Sequence, residues 1–154
     1  MSSTNNIGYL LQHLSGVLAK QSDQALQERL GIGFSQFKIL RVLQENPVVL
    51  QKQIAEWLGQ TEASISRQIK LMHETGLLHT VVNPRNRREH ITSPTAKGMR
   101  LAEEALNVLN STHASVFEEL GEKHQEQLHA ILSHMHKFSC QSGRIGACAH
   151  PYNA

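Results

Sequence analysis

The sequence predicts a mainly α-helical domain with one small β-hairpin, an α+β arrangement in which long helices flank a compact central unit. Three observations carry that expectation. Between Gln51 and Thr92, two short amphipathic stretches separated by a glycine are followed by two strand-like runs with a basic turn between them. Before Gly31 and after Pro94, apolar residues recur at helical spacing over long stretches. The length, 154 residues, allows one sizeable core and is too short to expect two.

Taken in order, Ile7, Leu10, Leu11, Leu14, Val17 and Leu18 follow helical spacing, and Ala25, Leu26 and Leu30 extend the same helix to Gly31. Its apolar stripe is wider than one packing neighbour needs, which fits contact with a second subunit as well as it fits ordinary core contact. From Phe34 a second helix places Phe37, Ile39, Leu40, Val42 and Leu43 inward and Lys38, Arg41 and Gln44 outward, until Asn46-Pro47 ends it. Val48-Val49-Leu50 is a short strand able to pair beside a hairpin. In Gln51–Leu58, the residues Ile54, Ala55, Trp57 and Leu58 bury one helical face, and Gly59 stops the helix. Trp57 is read as core. Thr61 is the N-cap of the next helix, whose inward stripe is Ile65, Ile69 and Met72 and whose end is Gly76.

The outward side of this helix carries Thr61, Ser64, Arg67, Gln68 and Lys70, groups that hydrogen-bond base edges and phosphates. Two short helices joined by a glycine-containing turn form a helix-turn-helix. Leu77–Val82 and Glu89–Thr92 are strand candidates, with Asn83-Pro84-Arg85-Asn86-Arg87-Arg88 as the turn between them. This hairpin holds three arginines at its tip. Crowding them there costs repulsion unless an anion answers them, and the phosphate backbone or a narrow minor groove is such an anion.

Beyond the hairpin, either Ser93 caps a helix with Pro94 at its first position, or Thr95 is the cap. The long helix that follows exposes a broad apolar surface from Met99 through Leu120 and ends at Gly121, and a last helix contains Leu128, Ile131, Leu132, Met135 and Phe138. The chain shows no internal repeat or low-complexity segment.

The run Ile65-Ser66-Arg67-Gln68-Ile69, then Gly76-Leu77-Leu78, Asn83-Pro84-Arg85-Asn86-Arg87-Arg88 and Thr95-Ala96-Lys97-Gly98 resembles the MarR (multiple antibiotic resistance regulator) family of winged-helix transcription regulators. In order of elements the resemblance covers residues 7 to 138. It implies a winged helix-turn-helix with long N- and C-terminal helices that interlock two subunits. The chain departs from the family at two places. The family's wing usually carries aspartates where Asn83 and Asn86 stand, and an amide hydrogen-bonds a guanidinium without neutralising it. The family's Leu-Thr start to the second helix is replaced by Ile32-Gly33, glycine being a tolerated N-cap.

Composition bounds the function. Formal net charge is only +2, yet ten Lys/Arg stand against five Glu between Lys38 and Arg100, a local excess of +5 with −3 over the remainder. No apolar run approaches 18 residues, and Met1–Lys20 lacks a basic start and is interrupted by Gln12 and His13, so the expectation is a cytoplasmic protein with no membrane partner. Cys140 and Cys148 read as reduced thiols rather than a structural disulfide. His124, His129, His134 and His136 have no pair three or four apart, and His129 and His136, on one face, lie two turns distant, so no metal and no cofactor is expected. With one Asp, Asp23, and no phosphate loop, nucleophile elbow or HExxH motif, no constellation supports catalysis.

The sequence therefore leads to a homodimer on a pseudo-palindromic double-stranded operator, a repressor released by a small-molecule effector that the resemblance implies. Thr61, Ser64, Ser66, Arg67 and Gln68 are expected in the major groove, Lys70 nearer the backbone, Arg85 and Arg87 in the flanking minor groove, and Arg88 supporting them or a phosphate. A single domain is expected over 1–138, with a DNA-binding lobe at 34–92, dimerisation helices at 5–30 and 94–138, and a flexible tail at 139–154. The competing reading is a metal- or thiol-responsive regulator on the same scaffold, using Cys140, Cys148 and His150 of the C-terminal region.

Overall fold

The computed structural model describes residues 6–140, so Cys148 and His150, and most of the expected tail, lie outside the described residues. The order is α1 (Ile7–Leu30), α2 (Phe34–Glu45), β1 (Val49–Leu50), α3 (Gln51–Leu58), α4 (Glu62–Glu74), β2 (Leu78–Asn83), β3 (Asn86–Pro94), α5 (Ala96–Leu120) and α6 (Glu122–Ser139). This is the mainly helical architecture with a small antiparallel wing that the periodicities predict.

Local chemistry sets the boundaries. Gly31 ends α1 in the left-handed region at φ 68°, its N–H bonded to the Gln27 carbonyl at 3.1 Å. Gly33, at the N-cap of α2, has no side chain with which to hold the first amides. Two neighbours do it instead: the Phe34 N–H donates to Asp23 Oδ1 of α1 at 2.8 Å, and the Gly33 N–H donates to Gln36 Oε1 at 3.1 Å. The carboxylate also faces the positive end of the helix dipole. Asp23 thus supplies from another helix what a threonine N-cap would supply itself.

The sheet order is β1-β3-β2, antiparallel throughout, with Val49 opposite Thr92 and Leu50 opposite Ile91 on one side of β3. On the other side, Leu78 pairs with Pro94 and the register holds to Val82 opposite His90. The core lies between this sheet, α2, α3, α4 and the first half of α5. Leu40, Leu43, Ile54, Ile65, Ile69, Met72 and Leu78 are fully buried, joined by Leu26 from α1 and Ala102 and Ala105 from α5. Trp57 packs partly buried against it.

A hydrogen-bonded corner ties the end of α4 to the start of α5. Thr95, not Ser93, is the N-cap: its Oγ1 accepts the Gly98 N–H at 3.0 Å and donates to the Gly76 carbonyl at 2.7 Å. The Thr95 N–H donates to the Leu77 carbonyl at 3.1 Å, and Lys97 Nζ donates to the Thr75 carbonyl at 2.8 Å. Gly98 lies against the Leu77 carbonyl so closely that a Cβ there would overlap the oxygen. The carbonyls of Thr75, Gly76 and Leu77, just past the end of α4, are thus answered by Thr95 and Lys97 at the start of α5.

The three terminal helices leave much apolar surface uncovered. Ile7, Tyr9, Leu10 and Leu14 of α1, Val116, Phe117 and Leu120 of α5, and Ile131, Leu132, Met135 and Phe138 of α6 are all exposed. No described residue of α6 is buried, although its apolar residues recur at helical spacing. Where α1 meets α5, Ser22 Oγ and His113 Nε2 are 3.0 Å apart. Among the described residues, no helix is long and apolar enough to cross a membrane.

Candidate nucleic-acid interface

The turn from α3 to α4 is Gly59-Gln60-Thr61, with Gly59 in the left-handed region at φ 62°. Thr61 then caps α4, its Oγ1 accepting the Ser64 N–H at 3.1 Å, which leaves its hydroxyl hydrogen and one lone pair to meet a partner. With Ile65, Ile69 and Met72 facing the core, the opposite side of α4 is fixed by 3.6 residues per turn. Arg67 and Lys70 lie on that exposed side, while Ser64 and Gln68 are half-buried on one flank. Ser66, also exposed, is on the other flank and borders the cleft toward the wing.

Sequence reasoning missed two residues of this surface. Ala63 and Leu71 are exposed, Leu71 to 49%, and sit along the same outward side as Arg67. Selecting only polar residues passes over them, yet a small methyl or an isobutyl group can meet a thymine methyl. Between α3, α4 and β3 runs a cleft of about 310 Å³ bordered by Gln51, Lys52, Glu62, Ser66, Arg88 and His90. Lys52 and His90 were also missed; the polar start Gln51-Lys52-Gln53 of α3 was the available signal.

The wing differs from the expected six-residue turn. Only Pro84 and Arg85 form the turn, and Asn83 and Asn86 pair across it. Arg87 and Arg88 belong to β3, so three arginines do not share the tip; Arg85 alone occupies it. The register explains how a strand can run through so basic a stretch. Val82 pairs with His90 but Asn83 with Asn86, so Arg87, Arg88 and Glu89 bulge from β3 with no counterparts on β2. Asparagine side chains shape this segment: the Arg85 N–H donates to Asn83 Oδ1 at 3.1 Å, and the Arg88 N–H donates to Asn86 Oδ1 at 3.2 Å. Asn83 Nδ2 in turn donates to Glu89 Oε2 at 2.9 Å. The amides therefore hold backbone and carboxylate. All three arginine residues are exposed.

This surface combines an exposed helix face carrying Arg67 and Lys70 with a bulged hairpin carrying Arg85, Arg87 and Arg88. Among the described residues, no three His, Cys, Asp or Glu side chains are grouped to hold a metal ion. Cys140 stands at the C-terminus of α6, its N–H bonded to the His136 carbonyl at 2.8 Å.

Comparison with known proteins agrees with this geometry. A MarR family profile matches residues 30–89, which run from the end of α1 into the wing. The HTH-type transcriptional repressor Rv2887 of Mycobacterium tuberculosis is 25% identical over 126 residues, 82% of this chain and 90% of that one. The crystal structure of a MarR-family transcriptional regulator from Rhodococcus sp. RHA1 superposes with a TM-score of 0.76 at 23% identity, covering 88% of this chain and 95% of that one. CouR of Rhodococcus jostii RHA1, bound to p-coumaroyl-CoA, gives a TM-score of 0.75 at 20% identity over 92% and 97% of the two chains. The same repressor on a 23-mer DNA duplex gives 0.74 at 23% identity over 86% and 93%. The structural likenesses establish the winged-helix fold, and over residues 30–89, which hold the helix-turn-helix and most of the wing described above, the chain is similar to the MarR family.

Proposed function

We propose that this chain is a homodimeric repressor that reads a pseudo-palindromic operator and releases it on binding a small molecule. The observation that carries the reading is the exposed side of α4, with Arg67 and Lys70, standing beside a bulged wing that presents Arg85, Arg87 and Arg88. A helix offers hydroxyls, an amide and cations to base edges in the major groove, while cations on a hairpin reach the backbone or the adjacent minor groove. Thr61, Ser64, Ser66, Arg67 and Gln68 read bases in this proposal, Lys70 contacts the backbone, and Arg88, beside Ser66 in the cleft, takes a phosphate.

The exposed apolar residues of α1, α5 and α6 support the dimer. Exposed apolar residues in such number suit an interface, and two reading helices about 34 Å apart match successive major grooves on one side of a duplex. The lobe at 34–92 and the helices at 5–30 and 94–138 divide the work accordingly. For the effector, a crevice of about 350 Å³ lies where α1 meets α2 and α6, lined by Leu11, Leu14, Leu18, Ser22, Phe34 and Leu132. It is largely apolar with few hydroxyls, which suits a small aromatic molecule; the related CouR, seen with p-coumaroyl-CoA, supports the class.

Selection from random duplex DNA tests the reading. The wild-type protein should return a two-fold-symmetric motif, and Ser64→Ala or Gln68→Ala should change the preferred bases more than the non-specific affinity. The same motif from both mutants would mean that this flank of α4 does not read bases.

A further inference from the structure

We propose that Asn83 and Glu89 form a side-chain clasp that positions the wing arginines, and that the clasp works because position 83 is an amide. The inference rests on the DNA-binding reading above and adds to it the groups that hold the wing in shape.

Three facts of geometry lead to it. First, Arg85, Arg87 and Arg88 all lie between residues 83 and 89. Second, β3 leaves register in this interval, so no ladder against β2 fixes Arg87, Arg88 and Glu89. Third, the bond from Asn83 Nδ2 to Glu89 Oε2, 2.9 Å long, closes the neck of this segment, and both residues are half-buried while the arginines are exposed. Asn83 serves both sides of the neck: its amide nitrogen donates to Glu89 while its oxygen accepts the Arg85 N–H at 3.1 Å. No other kind of side chain of that size can donate at one atom and accept at the other.

An aspartate at 83 keeps the acceptor for Arg85 but turns its second oxygen toward the Glu89 carboxylate. Two carboxylates at hydrogen-bond distance repel, so the neck opens. Glutamine at 89 relieves this, because its amide then donates to the aspartate. The clasp re-forms with its polarity reversed and with the same net charge as the wild type. Charge and clasp can therefore be varied separately. Glu89 also borders the cleft with Lys52 and Arg88, so a plain charge effect on DNA binding has to be separated from the positioning effect.

The experiment measures affinity for one selected duplex, at one salt concentration, for the wild type and for Asn83→Ala, Asn83→Asp and Asn83→Asp/Glu89→Gln. It is paired with amide exchange at Arg85 and Arg88. Asn83→Ala, which leaves charge unchanged, should bind about tenfold more weakly, and Asn83→Asp more weakly still. The double mutant should return to within about threefold of wild type. Exchange at Arg85 should accelerate in Asn83→Ala and recover in the double mutant. Wild-type affinity in Asn83→Ala, or a double mutant as weak as Asn83→Asp, overturns the clasp even though the protein binds DNA. A wild-type protein that binds no duplex sinks the DNA-binding reading and the positioning role with it; exchange then reports whether the neck bond holds the loop at all.

Discussion

Gly98→Ala is the sharpest probe of how α4 is mounted. Glycine in the first turn of a helix is ordinarily a weakness, and alanine would improve helix propensity by up to about 1 kcal/mol. Here the added methyl would overlap the Leu77 carbonyl oxygen and lie 3.0 Å from the Leu77 carbonyl carbon and 3.4 Å from Leu40 Cδ2. Those backbone atoms cannot swing aside as a side-chain tip would. Relief requires α5 to lift away from residues 75–77, which stretches the Thr95 N–H bond to Leu77 and the Thr95 Oγ1 bond to Gly76. Overpacking of this kind costs about 1–3 kcal/mol, and two weakened hydrogen bonds add about 1 kcal/mol each. Set against the propensity gain, the net expectation is a destabilisation of about 2–4 kcal/mol. Urea denaturation of both proteins at equal concentration, the concentration mattering for a dimer, reads the difference as a lower midpoint with an unchanged slope. A midpoint equal to or above the wild-type value would refute the argument, because propensity would then have won and the corner would not be tight.

Two further outcomes are expected. Arg85→Ala/Arg87→Ala should weaken operator binding by about 1–3 kcal/mol for each arginine that enters the minor groove and flatten the salt dependence by about one counterion for every phosphate no longer neutralised; a titration with affinity and slope both unchanged would make the wing a solvated loop. Leu10→Glu/Ile131→Glu changes two exposed residues, which in a lone subunit would cost no more than about 0.5 kcal/mol each, but burying two carboxylates in an apolar interface is prohibitive. Sedimentation should therefore give a folded monomer that no longer binds the operator, and a variant that sediments like the wild type would show that these faces do not meet.

The helices are legible in the sequence because their apolar spacing is local: Ile65, Ile69 and Met72 face inward as the periodicity requires, and Thr61 caps α4 as its hydroxyl and position predict. What escapes is decided by contacts between distant parts of the chain. Ser93 and Thr95 are equally plausible caps by composition, and the choice between them is made by carbonyls at residues 76 and 77, some twenty positions earlier. Asp23 reads as an incidental charge within α1, yet it holds the start of α2. The run Asn83–Arg88 reads as a loop because asparagine, proline and arginine are common there; its conversion into a tight turn and a bulge depends on pairing with β2 and on Glu89. The departures at Gly33 and Asn83 share a logic: in each case a carboxylate supplies an acceptor, Asp23 to the Phe34 N–H beside Gly33 and Glu89 to the Asn83 amide.

The corner between α4 and α5 has a consequence for how an operator is measured. Because residues 75–77, which follow α4, are tied through Thr95, Lys97 and Gly98 to the helix that would form the dimer, the proposed protein would work as a rigid caliper. Each inserted base pair between half-sites moves one site about 3.4 Å along the duplex and turns it by roughly a tenth of a revolution. A flexible connection would absorb such an error; a bolted one passes it to the subunit interface as strain. Spacer length would then be discriminated as sharply as the bases themselves, by residues that never touch DNA.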